Sequence, residues 1–248
     1  MASRDLVERQ RIEIQNWKQS ATEGPESDSV LNFLKKAGDA RVLLDLVNRY
    51  RGRFEGAGAI LELGAGWGWA SCLIKRLFPR AVVVATDISE DGLASVRKWE
   101  HLCQIRLDRV YPSLSYQLAE PAQSLDLVFC YASAHHFGAH RRTLREVMRV
   151  LRPGGTCLYL YEPSCPRYLH ALAYRRVNRI RPTVPEDVLM YRKMESLAAE
   201  VGLRCQVDFY PSVLNRKPGP LLYYSLLGRA PFLQRFLPCT ANYVFIKP

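Results

Sequence analysis

A chain of 248 residues with 48% hydrophobic side chains can bury the core of one large α/β domain, whereas two domains would each be left with a modest core. No stretch approaches the roughly 20 apolar residues that span a bilayer, and the charged start MASRDLVERQRIEIQNWKQS lacks the apolar centre of a signal peptide, so a cytoplasmic location is expected. The 35 basic against 24 acidic residues, net +11, favour anionic partners such as phosphorylated substrates, nucleic acid or lipid headgroups; charge carried for solubility alone explains the balance equally well.

Residues 3–19 and 29–50 read as helices. The second opens with Ser29 as N-cap and carries Val30, Leu31, Phe33 and Leu34, then Val42, Leu43, Leu46 and Val47, at helical spacing. SATEGPESDS between them is a polar loop. From residue 59 strands alternate with helices: AILELG, a helix over 68–78 stopped by Pro79, the β-branched AVVVATD (81–87), and a helix over 90–104. LSYQLA (114–119) is a weaker strand and LDLVFCYA (125–132) a stronger one; a helix over 140–151 stops at RPGG, and TCLYLYEP (156–163) follows. This order predicts parallel strands joined by right-handed crossovers in a doubly wound sheet. Beyond it lie an arginine-rich stretch (164–183), a helix over 185–201 capped by Gly202, a strand over 203–211, the apolar LLYYSLLGRAPFLQRFLP and a strand over 241–247. The seven cysteines are odd in number and never in CxxC spacing, so neither a disulfide framework nor a bound metal is expected.

A strand ending in ELGAGWG and running into a helix has the physics of a nucleotide-binding turn, because glycine admits positive φ and close backbone approach while the helix start offers unpaired N–H groups. The spacing GxGxG differs from the dinucleotide GxGxxG, and the lysine of a phosphate-cradling loop is missing. Glu62 can pair with a cationic amino group. Asp87, about 20 residues on at the tip of the next strand, can accept hydrogen bonds from two ribose hydroxyls.

Together with SLDLVFCYASAHHF, which begins near Asp126, and LREVMRVLRPGGTCLYLYEP, this set resembles the class I S-adenosylmethionine-dependent methyltransferases over about residues 55–165, in particular the ubiquinone/menaquinone-type small-molecule group. The resemblance implies an α/β, Rossmann-like seven-stranded sheet of order 3-2-1-4-5-7-6 with the last strand antiparallel. It implies a helical N-terminal cap at 1–55 and a methyltransferase domain at 56–248, whose 164–240 form a substrate or lid region, all one structural unit. S-adenosylmethionine would be the cofactor. Glu62, Gly64, Ala65 and Gly66 would hold its methionine part, with Gly68 in the same turn; Asp87 would hold the ribose, Ile88 pack on the adenine, and Tyr131 and Ala132 lie near the sulfonium. The segment LAEPAQSLD is shorter than the family's loop after strand three, which leaves Glu120 or the backbone near Ala119 on the adenine side.

His135 and His136 follow strand four, where a proton acceptor for a hydroxyl nucleophile would sit; packing and helix entry are the rival role. Glu162 would hold substrate or a neighbouring helix, and Trp67 and Trp69 would stack on ligand or fill the core. Arg141, Arg142, Arg145, Arg149 and Arg152 read as a solvated helix face. Arg167, Arg175, Arg176, Arg179 and Arg181 can meet an anionic substrate or headgroup. The apolar 221–237 either closes over the pocket or rests on a membrane surface. No N/D-P-P-Y element follows strand four, which argues against exocyclic base amines as acceptors. The expected activity is therefore O-methylation of a small-molecule, glycan-type or lipid-linked acceptor, anionic in character. An RNA methyltransferase is disfavoured because no separate recognition module accompanies the charge. A cofactor-binding protein of this fold without methyl transfer is the other alternative; peripheral membrane contact and oligomeric state stay open.

Overall fold

The computed structural model describes residues 4–19, 30–180 and 186–248; the SATEGPESDS loop with its cap Ser29, and Arg181, lie outside the described residues. Four strands, β1 (Ala59–Leu63), β2 (Val82–Asp87), β4 (Leu125–Tyr131) and β5 (Leu151–Cys165), are parallel and form the centre of the sheet. Their near-continuous apolar runs reflect burial on both faces. Alternation of side chains then sorts them. Ile60, Val83, Ala85, Leu127 and Phe129 meet one helical layer, made by α2 (Val30–Arg49), α3 (Arg51–Glu55), α4 (Trp69–Leu77) and the pair α5 (Glu90–Leu93) and α6 (Val96–Cys103). Leu61, Leu63, Val84, Val128 and Tyr159 meet the other, made by α7 (His140–Val150) and α9 (Tyr191–Glu200). The remaining helices are α1 (Arg4–Gln19), α8 (His170–Ile180) and α10 (Pro218–Arg229).

The sheet runs β3-β2-β1-β4-β5-β8-β7, with β3 spanning Arg109–Pro112, β7 Arg204–Phe209 and β8 Cys239–Ile246. β8 lies antiparallel between β5 and β7, the arrangement that the family order implied. A two-residue strand, β6 (Leu189–Met190), adds a parallel pair on β5 near Ser164. It also delays the start of the helix expected over 185–201, which begins at Tyr191.

The strand expected over 114–119 is a turn instead: the Gln117 N–H donates to the Leu114 carbonyl at 2.9 Å, and the Ser113 hydroxyl donates to the Gln117 carbonyl at 2.6 Å. The edge strand is RVYP (109–112), short and largely exposed, so no apolar pattern marks it. The expected helix over 90–104 is divided into α5 and α6.

Phe54 anchors the helices that precede β1. It is fully buried, stacks on Phe78 at 5.6 Å and meets Phe129 of β4 edge-on at 6.0 Å. Phe54→Ala should therefore lower the unfolding free energy by about 3–5 kcal/mol in a urea titration; a change below about 1 kcal/mol would show that the anchor is dispensable.

Candidate active site

β1 delivers its apolar run to a turn in which Gly64, Gly66 and Gly68 all have positive φ, +67°, +52° and +71°. What crowds Gly64 and Gly68 is the protein itself. A Cβ on Gly64 would lie 2.8 Å from the Ser133 hydroxyl in the turn after β4, and one on Gly68 would lie 2.5 Å from Val96 of α6. The Gly66 N–H points at β2 and donates to Asp87 Oδ2 at 2.8 Å. Asp87 Oδ1 accepts from the Ser89 N–H at 2.8 Å, so both carboxylate oxygens are fixed by backbone while keeping lone pairs for a ligand. Burial raises the Asp87 pKa, and backbone hydrogen bonds from Ser89 and Gly66 oppose the shift. Glu62, 2% exposed, takes the Ser71 hydroxyl on Oε2 at 2.5 Å; burial pushes its carboxyl up to about 7.

Above the turn opens a cavity of about 350 Å³, ample for a small molecule. Glu62, Asp87, Ile88 and Ser113–Ser115 line one side. The opposite side is aromatic. Trp69 meets Tyr131 edge-on at 5.5 Å, Tyr131 stacks on Tyr161 at 5.9 Å, and Lys36 Nζ lies 5.3 Å from the Trp67 ring and 5.8 Å from that of Trp69. Arg9, Gln10 and Glu13 of α1 and Lys35, Lys36 and Asp39 of α2 cover it.

Tyr161 reaches this wall through an irregularity in β5. The pairing with β8 shifts register between Tyr159 and Glu162, Tyr161 takes φ +62°, and its N–H is held by Asn242 Oδ1 at 2.8 Å. Bulges re-aim side chains in this way. Ala132, across the cavity floor, has φ +48°.

Glu62, Gly64, Ala65, Gly66, Asp87, Ile88, Tyr131, Ala132 and His136 all line the cavity. Four other candidates do not. Gly68 lies against Val96, which a Cβ there would meet at 2.5 Å, so helix packing requires a glycine at this place in the turn. Glu120 is buried against Arg109 and the Tyr111 hydroxyl, so Ser113–Ser115 occupy the side that Glu120 was expected to serve. Glu162, 0% exposed, accepts from the N–H groups of Ser133, Ala134 and His135 at 2.8–3.2 Å and from the His135 ring Nδ1 at 2.8 Å. It clamps the neighbouring turn, and His135 is drawn under the floor with it. His136 faces the cavity with Nδ1 3.5 Å from Glu13 Oε2. His135, His136 and Glu186 offer potential ligand atoms within 4.8 Å of one another, the one grouping of metal-ligand type among the described residues.

Tyr161, Ser133, Lys36 and Thr86 were not legible as cavity residues. Simple alternation along β5 does not foresee the bulge, and α1 and α2 carry no motif that announces a ligand. For Gly68 the packing role gives a direct test. Gly68→Ala should cost about 1–3 kcal/mol of stability, part of it recovered by adding Val96→Ala; loss of ligand affinity without loss of stability would return Gly68 to the binding turn.

The methyltransferase domain family matches residues 61–159. The fatty-acid O-methyltransferase of Mycolicibacterium smegmatis (strain ATCC 700084 / mc(2)155) is 30% identical over 195 residues, 76% of this chain and 68% of the relative. A trans-aconitate 2-methyltransferase of Azoarcus sp. (strain BH72) is 30% identical over 129 residues, 50% of this chain, and the match spans 46% of that enzyme's length. Among solved structures, geranyl diphosphate C-methyltransferase from Streptomyces coelicolor A3(2), crystallised with S-adenosyl-L-homocysteine, superposes with a TM-score of 0.68 over 97% of this chain and 98% of that one; at 12% identity this speaks for the fold alone. A glycine turn between two buried carboxylates, in a sheet of this order and in a chain so related, identifies a class I S-adenosylmethionine-dependent methyltransferase acting on a small molecule.

Proposed function

We propose that the chain methylates a carboxylate oxygen of an anionic small molecule, with the cofactor along the glycine turn and the acceptor between the aromatic wall and the helices of residues 1–55. One observation carries this: two buried carboxylates line the cavity on the sheet side, whereas the helices that cover it bring three cations and two carboxylates to its other side. Glu62 and Asp87 line the sheet side; Arg9, Lys35 and Lys36 lie in the covering helices with Glu13 and Asp39, and Lys36 Nζ is 3.8 Å from Asp39. In this reading Glu62 takes the cofactor's ammonium, Asp87 its ribose hydroxyls, and Ile88 with Ser113–Ser115 its adenine; Gly64, Ala65 and Gly66 let the methionine part lie on the backbone, and Tyr131 and Ala132 flank the sulfonium. Cationic side chains of these helices can meet the cofactor's own carboxylate and that of the acceptor.

The bound cofactor would supply an electrophilic methyl group, which a nucleophile that the protein has only to align would take in line as the carbon–sulfur bond breaks and S-adenosylhomocysteine leaves as the neutral thioether. A carboxylate is ionised at neutral pH and needs no base. That agrees with a cavity in which His135 is withdrawn to Glu162 and His136 sits beside Glu13. It also agrees with the relatives, whose names specify a fatty acid and trans-aconitate, both carboxylates. A hydroxyl acceptor, as in a glycan, would turn to His136, the histidine that lines the cavity.

Two sets of outcomes follow. The ligand-free Glu62 carboxyl, raised by burial to about 7, is mostly protonated at pH 6, whereas a cationic ammonium favours its ionised form. Calorimetric affinity for S-adenosylmethionine should therefore rise several-fold between pH 6 and 7.5, and this dependence should vanish in Glu62→Gln. Asp87→Ala should weaken binding by about tenfold, on the order of 1.5 kcal/mol for charge-assisted hydrogen bonds; wild-type affinity in that variant would remove Asp87 from the ribose site. For the acceptor, fatty acids and di- or tricarboxylates should be converted to methyl esters, and Lys36→Met should raise the acceptor KM with kcat little changed. Turnover confined to hydroxyl acceptors would sink the carboxylate assignment.

A further inference from the structure

Two stretches of the chain contain no acidic residue, 163–185 and 209–248. Their described parts fold next to each other: the Tyr168 hydroxyl donates to the Phe236 carbonyl at 2.6 Å, and burial pushes the Tyr223 phenol up to about 12 against the opposing charge of nearby Arg176. On α8 and the turn before it, Tyr168 and Leu172 are 68% exposed and stand four apart, and the same stripe continues into exposed Arg175, Arg176 and Arg179. On α10, Leu222 (75%), Leu226 (52%) and Arg229 repeat the pattern on the side opposite fully buried Leu227. The 3₁₀ turn Pro231–Arg235 then adds exposed Phe232 and Arg235, with Phe236 exposed just beyond it.

Leucines and phenylalanines left in water cost free energy, and a soluble surface of this kind usually marks a contact. Apolar side chains interleaved with arginines, on segments that carry no carboxylate of their own and beside an Asp187 engaged by His170 of α8 at 2.9 Å, match the interfacial layer of an anionic bilayer, where acyl chains take the former and phosphates the latter. We infer that α8, α10 and the turn after α10 form a docking surface for an anionic membrane. This deepens the carboxylate reading, on which it rests for what is collected there, by naming the source of an acyl acceptor. The surface also adjoins the cavity. The Arg216 guanidinium lies 5.3 Å from the Tyr161 ring in the cavity wall and 3.7 Å from the Tyr224 ring of α10, and Asn215 donates to Asp39 on the cavity rim at 3.3 Å. No helix among the described residues is long and apolar enough to cross a membrane, and the contact inferred is one of side chains with the bilayer surface.

The test is co-sedimentation of the full chain with vesicles of phosphatidylcholine alone and of phosphatidylcholine with 30% phosphatidylglycerol, as a function of salt. Binding should require the anionic lipid. Arg175→Glu/Arg176→Glu/Arg179→Glu should lower partition by on the order of a hundredfold, and Leu222→Ser/Phe232→Ser/Phe236→Ser by at least about tenfold. Both variants should keep wild-type S-adenosylmethionine affinity, which shows that they fold, and wild-type turnover of a short soluble carboxylate without vesicles. Absence of vesicle binding by the wild type would overturn the inference and leave the carboxylate reading standing; failure on soluble carboxylates with vesicle binding intact would do the reverse. Binding to duplex RNA as tight as to vesicles, unaffected by the apolar substitutions, would also overturn it, as would a dimer in solution that the apolar substitutions dissociate.

Discussion

The carboxylate of Glu162 holds the site together. Buried in the sheet, it gathers three consecutive backbone N–H groups and an imidazole N–H, enough to offset the cost of removing a charge from water. The turn so fixed places Ser133 over the glycine loop, where its hydroxyl donates to the Leu63 carbonyl at 3.1 Å and leaves no room for a side chain at residue 64. The preceding residue, Tyr161, is displaced by the bulge into the aromatic wall. The turn after β4 and its contact with the glycine loop are therefore positioned from one buried carboxylate that does not line the cavity, while the aromatic wall is set beside it by the bulge and Asn242.

The division between what the sequence discloses and what it hides follows from this. Glycines at every second position and an aspartate at a strand tip are local signals, and Glu62, Gly66 and Asp87 occupy the cavity as their spacing implied. Gly68 sends the same local signal while lying against Val96 outside the cavity lining, and spacing alone does not disclose that contact. Tyr161 depends on an asparagine 81 residues away, and Ser113–Ser115 depend on an edge strand too short to show a pattern. Such residues are set by tertiary pairing. The histidines illustrate the limit most clearly, since two adjacent identical residues diverge, one beneath the floor and one beside the cavity.

The arrangement has a thermodynamic cost. Burial raises both Glu62 and Asp87, and the two carboxylates repel each other across the turn. A sheet end assembled for stability alone would not place two anions there. In the proposed reading an ammonium at Glu62 and ribose hydroxyls at Asp87 would offset that cost, so that cofactor binding would add to the stability of the domain.

The position of β8 has a consequence for how the protein is made. Asn242, which holds the Tyr161 bulge, belongs to a strand that is inserted between β5 and β7, although it follows both in sequence. During synthesis the ribosome releases the glycine turn and the first five strands of the sheet well before this strand. Until it arrives, β5 presents an open, apolar edge, and Tyr161 lacks the partner that turns it toward the cavity. The nascent chain can thus form its glycine turn early, but the aromatic wall closes only after translation has passed residue 242, and in that interval the exposed edge is open to chaperones and to other nascent chains.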